Sequence, residues 1–427
     1  MSLIKHSHYE TFGDLGIFNQ GIWQYSQFKW PIISFHINGP FLGDHFHPIL
    51  ASLAPLYWLW PSEKVLLVIQ PFIILSALIP LFLISYRLTK SIFFSLSIMI
   101  GYSFYIPLQY TIFYDFHEIV FLPPLFAWVY WFFINNKKLL VTLFLIACLL
   151  VKEDVGFFVA AFGLYLFLFI KDWRRFGLIW VIGGIGYSLA VIGLVIPALS
   201  MAAYRYSSLS LSLPILDDIK RETIRRTFYP FGFLPLLSPL ALILSAEQFL
   251  ERFANASYPV AWTIGYHYSA PMAIIVALGA ITTAAYCGKR KIFLILFGLL
   301  IITLTRIDQI NRSAVLLVKR QIFWARADWM DGVDEALALV PPNVSVSSQN
   351  NLISHVSGRK EVYTLTDMDK AQYLLLDFHP GQSAYNFLGQ KEWDKVEKEV
   401  KEGIRSGKYE IVYNKGEVFL LRLLTSN

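Results

Sequence analysis

VLLVIQPFIILSALIPLFLISY, residues 65–86, runs for twenty-two residues without a single formal charge. As a helix rising about 1.5 Å per residue, it is long enough to cross a hydrocarbon core of about 30 Å. Lipid offers no partner to backbone amides, so a helix that pairs its own is the form this stretch takes. The stretches 92–110, 176–199 and 268–286 are also free of Asp, Glu, Lys and Arg. The whole chain of 427 residues is 56% apolar and only 15% charged, with a mean hydropathy of +0.52. That composition excludes an ordinary soluble domain.

The charge pattern gives orientation. The turns 87–90, 136–138, 171–175 and 287–291 hold ten Lys or Arg and one acid, Asp172. They alternate with turns rich in Asp, Glu and His, so the basic turns are expected on the cytoplasmic side. The net charge of +6 is then a topology signal and implies no nucleic-acid partner. Spans are expected at 65–86, 92–110, 118–135, 139–152, 154–171, 176–199, 268–286 and 291–307, about eight in all. The stretch 228–246 breaks the alternation and reads as a hairpin of two half-length segments broken at Ser238-Pro239. Cys148 and Cys287 lie in or beside membrane segments, so no disulfide framework is expected. No apolar segment of signal-peptide type precedes residue 49.

Three regions follow. Residues 1–64 form a first outer loop with an interfacial helix, 65–307 the membrane bundle, and 308–427 an extracytoplasmic α/β domain. The loop has no preceding span to deliver it: either it is translocated unaided, or the chain lacks a first helix that relatives have. The final region carries 31 of the 66 charged side chains. Its short β-type runs are 344–347, 373–377, 409–413 and 418–423, with an amphipathic helix at 392–404.

Polar residues concentrate on one side. Of fourteen Asp and Glu before residue 308, all but Asp172 fall outside on this topology, and so do all nine histidines of the chain. Tyr114-Asp115-Phe116-His117-Glu118 and Lys152-Glu153-Asp154 sit between spans with almost no loop, a costly depth for ionisable groups. With Asp14, Asp44-His45-Phe46-His47, Glu247 and His267, they can line one pocket at the outer mouth of the bundle. Each piece also has a plainer reading. Asp14 can cap a helix, and His45-x-His47 can be a solvated loop. Lys152-Glu153-Asp154 can be a helix-end charge cluster, and His267, between two tyrosines, an interfacial residue. Arg225-Arg226 can anchor lipid headgroups.

Several of these pieces resemble an uncharacterised family of predicted membrane proteins grouped with the GT-C glycosyltransferases. They are Asp14-Leu15-Gly16-Ile17-Phe18-x-Gln20, His45-Phe46-x-Pro48-Ile49-Leu50 and Tyr114-Asp115-Phe116-His117-Glu118. Lys152-Glu153-Asp154-Val155-Gly156, Leu236-x-Ser238-Pro239 and Tyr266-His267-Tyr268-x-Ala270-Pro271 follow in the same order, then the run 344–359 with Ser354-His355 and Arg359. The resemblance implies a mainly α, polytopic GT-C-like transmembrane helix bundle. It also implies an acid on the first outer loop, matched here by Asp14, acting on a polyprenyl-phosphate-linked sugar at the cell membrane.

Such transfer needs a base for the acceptor hydroxyl, for which Asp14, Asp115 and Glu118 are the candidates. It needs positive charge on the departing phosphate, from Lys152, Arg205, Arg225 or His267, or from a divalent metal such as Mg or Mn. Candidate metal ligands are Asp44, His45 and His117. The competing expectations are a non-catalytic membrane protein that binds lipid or glycan, and a transporter or flippase. The latter is disfavoured by the lack of a polar midplane site or an inverted repeat.

Overall fold

The computed structural model describes residues 1–206, 216–255, 258–287 and 290–424. Gly288 and Lys289 of the last basic turn lie outside the described residues, as does 207–215 of the loop after residue 200. The chain is a helical membrane protein with a small α/β region. It divides into two compact units, Met1–Phe41 with Ala51–Val68 and Arg320–Asn427, and Leu42–Leu50 with Ile69–Lys319.

Four helices have the length and apolarity to cross a bilayer: Lys64–Thr89, Lys171–Ser200, His267–Cys287 and Lys291–Ile310. Ile92–Ser103 and Ile106–Phe113 do so as one pair bent by 42°. Pro107 sits in the first turn of the second piece, where its missing N–H costs no helical bond. The expected spans 118–135, 139–152 and 154–171 are shorter apolar helices, Glu118–Ile134, Lys138–Leu149 and Val155–Phe169. At about 1.5 Å per residue they reach roughly 18–26 Å. They are cut short by the polar stretches 114–118 and 150–154, which remain outside regular α-helix. The segment 228–246 contains two 3-10 turns, Tyr229–Phe231 and Leu234–Leu237, joined through left-handed Gly232 and Phe233. Helix Pro239–Ala254 follows, with the Ser238 hydroxyl accepting from the Ala241 amide at 3.4 Å.

Within this larger unit, helix Ala270–Cys287 is the pillar. Its most apolar window is 78% buried, against 22–39% in the other three long helices, so it faces protein on all sides. A Cβ on Gly279 would lie 2.6 Å from the Ala241 Cβ and 2.8 Å from that of Pro235. The Thr283 hydroxyl donates to the Leu234 carbonyl at 2.9 Å.

A second close approach joins helices Val155–Phe169 and Arg174–Ala190. A Cβ on Gly163 would sit 2.7 Å from the Gly177 carbonyl oxygen, and one on Gly156 only 2.4 Å from that of Gly184. Each helix spaces its two glycines by seven residues, two turns, so both lie on one face. Backbones can then touch, the usual basis of tight helix pairing in lipid.

The other unit is built on a five-stranded sheet. After the short antiparallel pair β1 (Ile32–Ile33) and β2 (Gly39–Pro40) come β3 (Val346–Ser348), β4 (Val362–Tyr363), β5 (Tyr373–Asp377), β6 (Tyr409–Lys415) and β7 (Val418–Leu423). The order is β4-β3-β5-β7-β6, parallel among the first three and antiparallel from β5 onward. Four of these strands fall on the apolar runs expected from sequence. β4, two residues long, is too short to show a period. Helix Gln390–Arg405 packs Val396 and Val400 onto Leu374, Leu376, Phe387 and Leu421.

Helix Gly13–Ser26 belongs to the same unit and is bound to it by polar side chains. Gln20 Nε2 donates to the Arg359 and Lys360 carbonyls at 3.0 and 3.1 Å, while its Oε1 accepts from the Ser34 amide at 3.0 Å. Gly16 lets the helix approach Ser354, whose Cα would be 3.3 Å from an added Cβ. Phe28, Trp30, Trp58 and Trp60 are exposed on this unit, the aromatic type common at a membrane–water boundary.

Candidate functional site

Ionisable residues of the larger unit collect where helices Glu118–Ile134, Val155–Phe169, Pro239–Ala254 and Ala270–Cys287 approach one another. A cavity there is lined by Lys152, Asp154, Gln248, Glu251, Arg252 and His267, with apolar walls that include Ile119, Phe158 and Pro271. Its volume is about 40 Å³, room for a water or two.

Each charged side chain is held by local structure. Lys152 pairs with Asp154 at 3.1 Å across the tight turn between two apolar helices. Burial alone would lower its ammonium, but Asp154, Glu153 and Glu118 outweigh that and hold it well above the ordinary lysine value. The cation therefore persists at neutral pH. Arg252 donates through Nε to the Ala261 carbonyl and through Nη2 to that of Thr263, both at 2.8 Å. Glu251 is pushed well above the carboxylate range, first by burial and then by the Asp154 charge. The His117 and His267 rings stack at 3.5 Å, with Tyr114 at 5.3 Å from the first.

Several buried polar atoms here have no hydrogen-bond partner: Glu118 Oε2, Glu247 Oε1, Arg252 Nη1 and His267 Nδ1. Orphans of this kind are rare in folded proteins and call for a ligand, water or ion.

A second, larger cavity of about 430 Å³ is lined by Asp218, Ile219, Glu222, Thr223, Arg226, Thr263 and Ile264. The segment after Pro259 is common to both walls. Arg252 of the inner cavity holds the carbonyl of Thr263, which lines the outer one, and Thr223 donates to the Trp262 carbonyl at 2.6 Å.

The expected residues separate into distinct groups. Lys152 and His267 line the inner cavity, and Glu118 immediately precedes its lining residue Ile119. Asp115 is fully buried, and its carbonyl accepts from Gln70 and His117. Arg225 is engaged by Glu222 through two bonds of 2.6 and 2.7 Å, while Arg226 faces the outer cavity. Arg205 lies 3.9 Å from Asp44, and the Tyr206 hydroxyl also reaches Asp44. Asp14 belongs to the smaller unit. Phe12 occupies the N-cap of helix Gly13–Ser26, so Asp14 is a first-turn acid that favours the helix dipole and is not the cap. Among the described residues, Asp44, His45 and His117 form no ligand cluster.

The segment His45-x-His47 is not a solvated loop. His47 is buried, and burial pushes its imidazole down to about 3. His45 Nδ1 lies 2.6 Å from Glu153 Oε1, and its ring stacks on Tyr206 at 4.6 Å. Glu153, fully buried, also accepts from the Tyr204 hydroxyl at 2.7 Å and the Phe46 amide at 2.9 Å. Sequence reading passed over Glu153, Glu251 and Arg252 as individual residues. The i, i+4 pairs Glu247/Glu251 and Gln248/Arg252 were the available signal, since that spacing puts each pair on one helix face.

A pH dependence follows from the His45–Glu153 pair. Burial alone would lower the His45 imidazolium, but the Glu153 charge outweighs it and pushes His45 up to about 9. Burial alone would raise Glu153, but His45 and then Lys152 hold it below the carboxylate range. The histidine contribution to stability is full below its unfolded value of about 6.5 and is lost as pH rises through about 9. The glutamate contribution is full above about 4.3 and is lost as pH falls. The gap in thermal midpoint between wild type and His45→Phe in detergent should therefore be largest near pH 6 and shrink by pH 9.5. A gap of constant size would mean that folding does not stabilise the His45 imidazolium.

Fold and site together define a polytopic helical membrane protein with a buried charged centre and an attached α/β unit. The chain belongs to the family described as "Predicted membrane protein (DUF2079)", which it matches over residues 9–420. No curated protein matches it.

Proposed function

We propose that this protein is a GT-C-like glycosyltransferase that moves a sugar from a polyprenyl-phosphate donor to an acceptor on the non-cytoplasmic face of the cell membrane. The observation that carries the reading is the pair of buried cations, Lys152 and Arg252, lining one cavity beside two buried atoms without a hydrogen-bond partner, Glu118 Oε2 and His267 Nδ1. In the reaction, an acceptor hydroxyl oxygen attacks the anomeric carbon and the bond from that carbon to the phosphate oxygen breaks. The electron pair leaves on the polyprenyl phosphate, where Lys152 and Arg252 would offset the developing charge. The hydroxyl proton passes to a carboxylate, for which Glu118 is the best-placed candidate in this unit.

The larger cavity fits a sugar, being within the ordinary range for ligand sites. Apolar helix faces beside it suit a prenyl tail. Asp14, the family-level candidate base, is tested by Asp14→Asn in parallel. The extracytoplasmic placement of the α/β unit rests on the distribution of Lys and Arg among the turns. A divalent metal at the reaction centre is not needed for this reading, because two protein cations already face the cavity.

A second reading is binding of a lipid phosphate or glycan without turnover, since the inner cavity is too small to hold donor sugar and acceptor together. One experiment separates the two. The protein is placed in liposomes with polyprenyl-phosphate-linked glucose or mannose and sugar alcohols as acceptors, and release of free polyprenyl phosphate is measured. Transfer predicts release by wild type and by Lys408→Ala, a surface variant in the other unit. It predicts a loss of about 10²-fold or more in Glu118→Gln, the range for removing a general base. Carrier binding with no release supports the second reading, and release at the wild-type level in both Glu118→Gln and Asp14→Asn removes both carboxylates from the chemistry.

A further inference from the structure

The smaller unit holds a cluster that the proposed transfer does not use. His6, from helix Ser2–Ser7, Glu63, just before helix Lys64–Thr89, and His355, from helix Ile353–Val356, bring one donor atom each to within 4.8 Å of one another. His6 Nε2 and Glu63 Oε1 are 2.9 Å apart. The two imidazole rings lie parallel, 3.9 Å between centroids with 10° between planes. His355 Nε2 is buried and has no hydrogen-bond partner.

We propose that His6, Glu63 and His355 bind a divalent metal ion of zinc type, leaving a fourth position for water or an incoming ligand. Two imidazoles and one carboxylate are a recognised donor set for such ions, and three protein ligands with one open position are typical of reactive sites. Zinc–nitrogen bonds of about 2.0–2.1 Å at tetrahedral angles place donors about 3.3 Å apart, so to close on an ion the donor atoms draw together from within 4.8 Å and the His355 ring tilts out of the stack to aim its lone pair at the metal.

The surroundings of His6 add an independent argument. Its other ring nitrogen, Nδ1, is 3.1 Å from the Thr11 hydroxyl, which lies 3.1 Å from the Ser354 hydroxyl. A ligating histidine commonly donates its second N–H to such a partner, which fixes the tautomer and aims the free lone pair at the metal. With Nδ1–H engaged by Thr11, His6 Nε2 is the atom left to coordinate. Ser354 is adjacent in sequence to the ligand His355, so the hydroxyl pair ties both histidines into one frame.

A bare ion pair between His6 and Glu63 does not account for His355. It would leave a second imidazole stacked on the first with a buried nitrogen that bonds to nothing, an arrangement that costs stability unless something occupies the space. A cation among the three atoms gives that nitrogen a partner. Glu63 also keeps 13% of its side chain exposed, which supplies an entry path and room for the fourth ligand.

The test uses the full-length protein in detergent, stripped with a chelator and titrated with Co²⁺ and then Zn²⁺. Expected are one Co²⁺ per chain, visible absorption of the low-coordinate type, and displacement by Zn²⁺. His355→Gln should abolish the signal. Thr11→Val, which keeps the shape but removes the orienting hydroxyl, should weaken binding about 10–100-fold. Size-exclusion profiles show which variants fold. If His355→Gln does not fold, the wild-type spectrum and Thr11→Val decide the matter. Wild type that takes up no stoichiometric Co²⁺, or binding that is equal in wild type and in folded His355→Gln, overturns the proposal. None of these outcomes depends on sugar transfer.

Discussion

Gly163→Leu is expected to prevent stable folding of the membrane unit, or to lower its stability by well over 3 kcal/mol. The added Cβ alone would meet backbone on all sides: the Gly177 oxygen at 2.7 Å, the Val181 nitrogen at 2.8 Å and the Trp180 carbonyl carbon at 3.0 Å. None of these can rotate away, so the helices would have to separate. Ordinary overpacking of a side-chain core costs about 1–3 kcal/mol, because side chains adjust. Here the obstruction is main chain, and separation would also pull at the second glycine pair, Gly156 and Gly184. It would further strain the 2.7 Å bond from the Ser188 hydroxyl to the Glu153 carbonyl, which links this interface to the turn carrying Lys152. The measurement is the monodisperse yield in detergent and the thermal midpoint. Gly183→Leu on the facing helix Arg174–Ala190, where an added Cβ meets nothing within 4 Å, is the control. Equal behaviour of the two variants would show that the helices are not in backbone contact.

Lys152→Met should cost about 3–5 kcal/mol, the range for removing one partner of a buried ion pair. Methionine keeps the length and most of the volume, so the loss isolates the charge. Without the ammonium, Asp154 loses a partner at 3.1 Å, and Glu153 keeps only the His45 side of its electrostatic support. Both side chains of the Lys152–Asp154 pair are mostly buried, at 16% and 22% exposure, so solvent screening recovers little of the loss. Thermal or denaturant unfolding in a single detergent gives the value. A penalty under about 1 kcal/mol would place the pair in the range of exposed ion pairs and show the turn to be well hydrated.

The bundle was largely legible because its signal is physical necessity. A run such as 65–86 has one viable conformation in lipid, and the structure has a helix there. The same reasoning misjudged lengths where polar residues interrupt apolar ones. Residues 150–154 are not a short connection between two full spans but a polar plug between two short helices, because Glu153 is fully buried and bonded to the segment 45–46. Sequence spacing cannot reveal that, since the partners are more than a hundred residues apart. The α/β region was legible through the short β-type runs of β5 to β7 and the stripe of helix Gln390–Arg405, but not through β4.

The candidate site was legible as a set of residue types and not as an arrangement. Lys152 and His267 line a common cavity, whereas Arg225 is taken up by its own helix neighbour Glu222, an i, i+3 contact that local spacing could have announced. The glycines at 156, 163, 177 and 184 were equally visible as two seven-residue spacings, yet nothing in a single chain says that the two stripes meet. The cluster of His6, Glu63 and His355 joins three remote segments and leaves no local trace at all.

The enclosure of helix Ala270–Cys287 bears on how the protein is made. When this segment leaves the ribosome, its later neighbour at 291–310 does not yet exist, so acyl chains must stand in for part of its final surroundings. Its apolar sequence serves that temporary solvent, and its small residues serve the protein contacts that replace it. Maturation thus exchanges lipid for helix around a single strut, and a segment apolar enough for the bilayer ends its life largely out of reach of it.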